Sequence, residues 1–135
     1  MAKQAVFRQV KSLNVGCDAV GNLLLVKYAH HGGTYSTAFF PASVVFWMLE
    51  HIPVNQDPNL EPPAGIPPFT QMDWDIRFTP RVVSVNCKQF PDALRIRMEL
   101  ENTPEQTVLL DRSNVELLRH FFSVYAKDLI NLDAA

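Results

Sequence analysis

Slid against itself by 70 residues, the sequence matches across Leu13–His51 and Val83–Phe121 without a gap. Val15/Val85, Cys17/Cys87, Leu24/Leu94, Thr37/Thr107, Ser43/Ser113 and Val45/Val115 are identical. Those six identities compare with roughly two or three expected from ordinary composition. Apolar character is also kept at Val26/Ile96, Tyr28/Met98, Ala38/Val108, Phe39/Leu109, Phe40/Leu110, Trp47/Leu117 and Met48/Leu118. A chain that repeats its apolar pattern builds the same supersecondary unit twice. The match therefore predicts two copies of one unit.

Each copy reads as β-β-β-α. In the second, Val83, Val85 and Cys87 alternate with Ser84, Asn86 and Lys88, and Phe90–Ala93 holds turn residues. Leu94, Ile96, Met98 and Leu100 then face one way while Arg95, Arg97, Glu99 and Glu101 face the other, as in a half-buried strand. Gln106–Leu110 is a third strand. A helix follows from about Asp111 or Ser113 to Asn131, with capping-box spacing at Ser113 and Glu116 and an apolar stripe of Leu118, Phe122, Tyr125 and Leu129. In the first copy the strands are Val6–Val15, Leu23–His30 and Tyr35–Phe40. Its helix runs from about Pro41 or Ser43 to Ile52 and stops before Pro53.

Between the copies, six of the ten prolines fall between Ile52 and Phe69, where neither a helix nor a central strand can run. The expected organisation is one domain, 1–135: unit one at 5–52, an extended connector at 53–72 and unit two at 73–131. The expected fold class is α+β: a tandem repeat forming an antiparallel sheet with two helices on one face, related by a pseudo-twofold. Leu, Ile, Val and Phe make up about a third of the chain, enough for a core.

Composition excludes several classes. The formal charge is −2, so the chain is neither a basic nucleic-acid coat nor an acidic tail. Cys17 and Cys87 have no zinc spacing and form no disulfide framework, so they read as buried small hydrophobes in a reducing compartment. The N-terminus lacks the apolar stretch of a signal peptide, and the longest apolar run, Val44–Leu49, is too short to span a bilayer. The expectation is a cytoplasmic protein without membrane contact. No phosphate loop, nucleophile elbow or zinc-protease motif occurs. His30 and His31 are adjacent on a strand end and point apart; they, His51 and His120 read as surface or capping residues. Asp73 and Asp75 share a strand-like face but read as a solvated turn. These absences predict no catalytic residues, no metal, no cofactor and no enzymatic activity.

Binding remains. The outward positions of unit two (Ser84, Asn86, Lys88, Arg95, Arg97, Glu99) are polar. Those of unit one (Asn14, Gly16, Asp18, Leu25, Lys27, Ala29, Thr37) are more apolar, with Leu23 and Phe39 nearby. Either the connector folds across that face or the face docks a partner. The leading expectation is an interaction domain using Leu23, Leu25, Phe39 and Phe46 to bind a second copy of itself or an unknown protein. The element order also resembles the whirly and PUR-repeat families, which lay single strands on a curved sheet, although those families place four strands before the helix. That resemblance implies single-stranded nucleic acid as an alternative partner, held by Lys27, Lys88, Arg95 and Arg97 with Tyr35 for stacking.

Overall fold

The computed structural model describes residues 8–17, 23–52, 69–75, 77–126 and 129. Two three-stranded antiparallel meanders make up the sheet. The first holds β1 (Arg8–Cys17), β2 (Leu23–His30) and β3 (Tyr35–Pro41); the second holds β4 (Val82–Phe90), β5 (Ala93–Leu100) and β6 (Gln106–Asp111). Helix α1 (Ala42–His51) follows β3 and α3 (Arg112–Ala126) follows β6, while a short α2 (Gln71–Trp74) precedes the second meander. The fold is thus α+β, with one six-stranded sheet in the order β3-β2-β1-β6-β5-β4 and three helices.

The sheet is mixed, which corrects the all-antiparallel expectation. Arg8 and Gln9 of β1 pair in parallel with Val108 and Leu109 of β6. The two meanders meet at β1 and β6, and the pairing inside each fixes no direction for the other, so the parallel pair is set only where the two units come together. The sheet also curls until its outer strands meet. Phe39 of β3 forms an isolated parallel bridge with Arg81, just before β4, and its amide donates to the Pro80 carbonyl at 2.8 Å. β1 carries a bulge between Val10 and Ser12, and β4 one between Val82 and Ser84. Such irregularities bend a strand and let a sheet close.

Alternation puts Leu13, Val15, Leu24, Val26, Tyr28, Phe40, Ile96, Met98 and Leu110 on one side, where α1 and α3 deliver Val45, Met48, Leu118 and Phe122. The two helices touch each other; α3 packs on β1, β6 and β5, and α1 on β4, β3 and β2. Phe40 and Phe122 meet at 5.7 Å between centroids, joining the two halves of the core. The N-cap of α3 is Asp111, whose Oδ1 accepts the Asn114 amide at 2.9 Å, so the expected Ser113 cap moves back two residues. The expected strand Val6–Val15 lies at Arg8–Cys17, and the expected helix end beyond Ala126 falls mostly outside the described residues. Among the described residues, no helix is long and apolar enough to cross a membrane.

Candidate interaction surface

The sheet face away from the helices differs between the meanders. In β5 burial alternates: Leu94, Ile96, Met98 and Leu100 are buried, while Arg97 and Glu99 are exposed. In β2 both faces are buried from Leu24 to Tyr28. Leu25 has no exposed surface, and Phe39, its partner in β3, only 3%.

The cover is the segment around α2. Trp74 lies over Gly16, where an added Cβ would stand 2.7 Å from the indole and 3.3 Å from the Phe69 ring. Phe69 and Trp74 pack together at 5.4 Å. Glycine at position 16 is therefore the space the indole fills. Asp73 pins the segment down: its Oδ2 accepts from the Lys27 ammonium at 2.7 Å, the Thr70 amide at 2.8 Å and the Thr70 hydroxyl at 3.1 Å. The Thr79 hydroxyl donates to the Asp73 carbonyl at 2.8 Å, tying the segment to the approach to β4. Burial alone pushes the Asp73 carboxyl up, but the hydrogen bonds from Lys27 and Thr70 outweigh it and hold it below its ordinary value.

This placement corrects the expected docking surface. Leu25 and Phe39 are inside, Leu23 and Phe46 are half-buried, and Phe46 packs against the core on the helix side. The four do not form one open patch. Asp73 and Asp75 are not a solvated pair either: Asp73 holds Lys27, and Asp75 holds the Arg77 guanidinium at 2.7 Å. The latter contact keeps the Asp75 carboxyl down at about 2, chiefly through hydrogen bonds from the Arg77 side chain and amide.

The residues expected to hold a single strand are also dispersed. Lys27 is buried against Asp73, with the exposed Tyr35 ring 4.8 Å from its ammonium. Arg97 gives its Nε to Glu105 at 2.9 Å. Lys88 and Arg95 are register neighbours on β4 and β5, in the other meander from Lys27. His30 is buried rather than superficial, its Nε2 sharing a 2.7 Å hydrogen bond with Ser36 Oγ, because the hairpin turns it inward. His31 and His120 are exposed, and His51 stacks on Trp47 at 4.0 Å. Among the described residues, no group of His, Cys, Asp and Glu side chains could hold a metal ion.

Open apolar ground lies instead at the sheet's outer edge. Beyond Val82, β4 is largely exposed; Val83 is 61% accessible and Phe90 39%. Val83, Ser84 and Val85 line one wall of a groove of about 240 Å³, and Ser43, Val44 and Trp47 of α1 line the other. At the other helix–strand contact, Asn114 of α3 donates its side-chain amide to the carbonyls of Val10 at 3.3 Å and Lys11 at 3.2 Å. Helix α3 is thus stitched to the edge of β1. The position matching Asn114 in the self-aligned sequence is Val44, which has no donor to offer β4. That substitution was legible in the sequence; its consequence for β4 was not, because it needed the strand order.

Comparison of the chain with protein-family descriptions and with curated proteins finds no match.

Proposed function

We propose that this chain is a non-catalytic interaction domain that docks a protein, a second copy included, through the flank formed by α1 and β4. The carrying observation is the exposed outer edge strand beside an apolar groove, with Val83 the most exposed valine or leucine of the sheet. A long exposed edge strand is a template for pairing with another chain unless charge, proline or a cover blunts it. Along β4 the bulge and the neighbouring β3 and α1 act near its start, and Lys88 is the one charge on the exposed stretch that follows. The sheet face of the first meander, by contrast, is already occupied from within the chain. Cys17 and Cys87, neither of them in a disulfide, support a reducing, cytoplasmic setting; burial pushes the Cys87 thiol up to about 11, away from thiolate chemistry. Sedimentation velocity across a wide concentration range, with wild type and Val83→Lys, tests the reading. Association that weakens in the variant supports it. A wild type monomeric throughout, with no protein partner competing for β4, removes it.

The same proposal includes a duplicated chain with a pseudo-twofold running along the axis of the curled sheet. Helices α1 and α3 start 70 residues apart, as do β2 and β5. Gly32 and Asn102, also 70 apart, both have positive φ in their hairpins. The contact of Gln9 with Leu109 has its counterpart in the contact of Arg81 with Phe39. The bulges of β1 and β4 match once β1 is shifted by two residues, a slip absorbed by the shorter hairpin at Phe90–Ala93. By that register Cys87 corresponds to Val15, not to Cys17. The half-turn makes the α3–β1 and α1–β4 contacts equivalent, so the groove at β4 is where one copy has lost a stitch the other keeps.

A further inference from the structure

Resting on that reading, we infer that the partner at this edge is a second copy of the chain, joined by antiparallel pairing of β4 with β4 about a twofold axis at Asn86. Charge is divided unevenly along the outward face of β4 and β5. Ser84, Asn86 and Lys88 point outward from β4, opposite Glu99, Arg97 and Arg95 of β5 respectively. One end of this two-strand surface is acidic: the Ser84 hydroxyl donates to the Glu99 carboxylate at 2.9 Å, holding it over the edge strand. The other end is basic, with Lys88 beside Arg95. In the middle, Arg97 is neutralised by Glu105.

A twofold axis through Asn86 lays the acidic end of one copy on the basic end of the other. Ser84 then faces Lys88 of the second copy, and the lysine stem reaches past the small serine to Glu99 two strands away, a span of about 10 Å at ordinary strand spacing. The symmetry supplies this ion pair twice. On the inner face the same register sets Val85 beside Cys87 of the second copy, two half-buried side chains that already pack on the core. Sliding the pairing one step either way along the same face, so that the axis falls on Cys87 or Val85, moves Lys88 away from Glu99. Charge thus selects the register. The pairing extends a six-stranded sheet into a continuous one of twelve and covers the exposed edge, with no demand on the buried face of the first meander.

Charge reversal tests this directly, because Lys88 and Glu99 are not cross-strand neighbours within one copy. Lys88→Glu and Glu99→Lys are each expected to raise the dimer dissociation constant by about tenfold, and the double reversal to restore it. In a chain whose Cys17 and Cys87 are replaced by alanine, Asn86→Cys is expected to give an intermolecular disulfide under mild oxidation, since the two positions face each other across the axis. Gln89→Cys, opposite Val83 of the second copy in this register, is expected to give none. Circular dichroism and thermal melts confirm that these surface variants stay folded. A dimer in which the double reversal is no better than the single changes and Asn86→Cys does not cross-link overturns this pairing, while leaving the α1–β4 flank to be mapped in another register. A chain that is monomeric and yields no cross-link overturns the pairing as well, and competition by a protein partner for β4 then decides the broader reading.

Discussion

The two meanders start from the same strand pattern and end with different surfaces. In the second, the alternation of β5 survives intact, with a core face and a solvent face. In the first, β2 is buried on both sides because a segment led by Phe69, Asp73 and Trp74 lies across it. Alternation describes a strand with one wet face; it stops predicting exposure when the chain supplies a second cover. The comparison also runs the other way at the helices. There the second unit's helix is stitched to β1 through Asn114, while the first unit's helix touches β4 across an open groove.

Substitutions in the two meanders should break this contrast. Leu25→Ala removes a side chain with no exposed surface and should cost about 4 kcal/mol, whereas Arg95→Ala, at the matching position of β5, should cost under about 1 kcal/mol; urea denaturation reads both. Asp73→Asn leaves Lys27 buried without its carboxylate and should cost about 3 kcal/mol near neutral pH. This loss carries a pH signature. The folded Asp73 carboxyl sits below its unfolded value, so its stabilisation is complete above the ordinary carboxylate range and fades as pH falls through the lowered value. Wild-type and Asp73→Asn stability curves should therefore converge in acid.

Asn114→Ala should cost about 2 kcal/mol, because the Val10 and Lys11 carbonyls lose their donor. The complementary change Val44→Asn asks whether α1 can be stitched to β4; if it can, self-association through that edge should fall. Gly16→Val drives a side chain into the Trp74 indole and should cost about 1–2 kcal/mol with a shift in tryptophan emission, while Asn86→Val on exposed β4 should stay within about 0.5 kcal/mol. The smallest effect is expected at Arg97, whose contact with Glu105 is exposed on both sides; Arg97→Ala should leave the melting temperature unchanged.

Much of the fold was legible before any coordinate. Strand β2 lies where its apolar run put it, and β3, β5, β6 and both long helices begin within a residue or two of their expected starts. Local rules suffice there: alternation, turn residues, and a proline that ends α1. The site was less legible. Leu25 and Phe39 look like an exposed patch when the strand is considered alone, and only Thr70 and Asp73, three residues apart at the start of a short helix, hint that the following tryptophan is held in place. Nothing local shows that Gly16 leaves room for that indole, since the two are distant in sequence.

By itself, then, the sequence determined which residues form strands and helices and which side of each is apolar, because those follow from periods of two and 3.6 along the chain. Tertiary structure decided which strands abut, and hence the parallel β1–β6 pair and the curl that brings Phe39 to Arg81. It also decided which apolar face is covered from within and which edge stays exposed. Those outcomes depend on where segments far apart in sequence meet, and a donor present at Asn114 but absent at Val44 acquires its meaning only once each helix has a strand edge beside it.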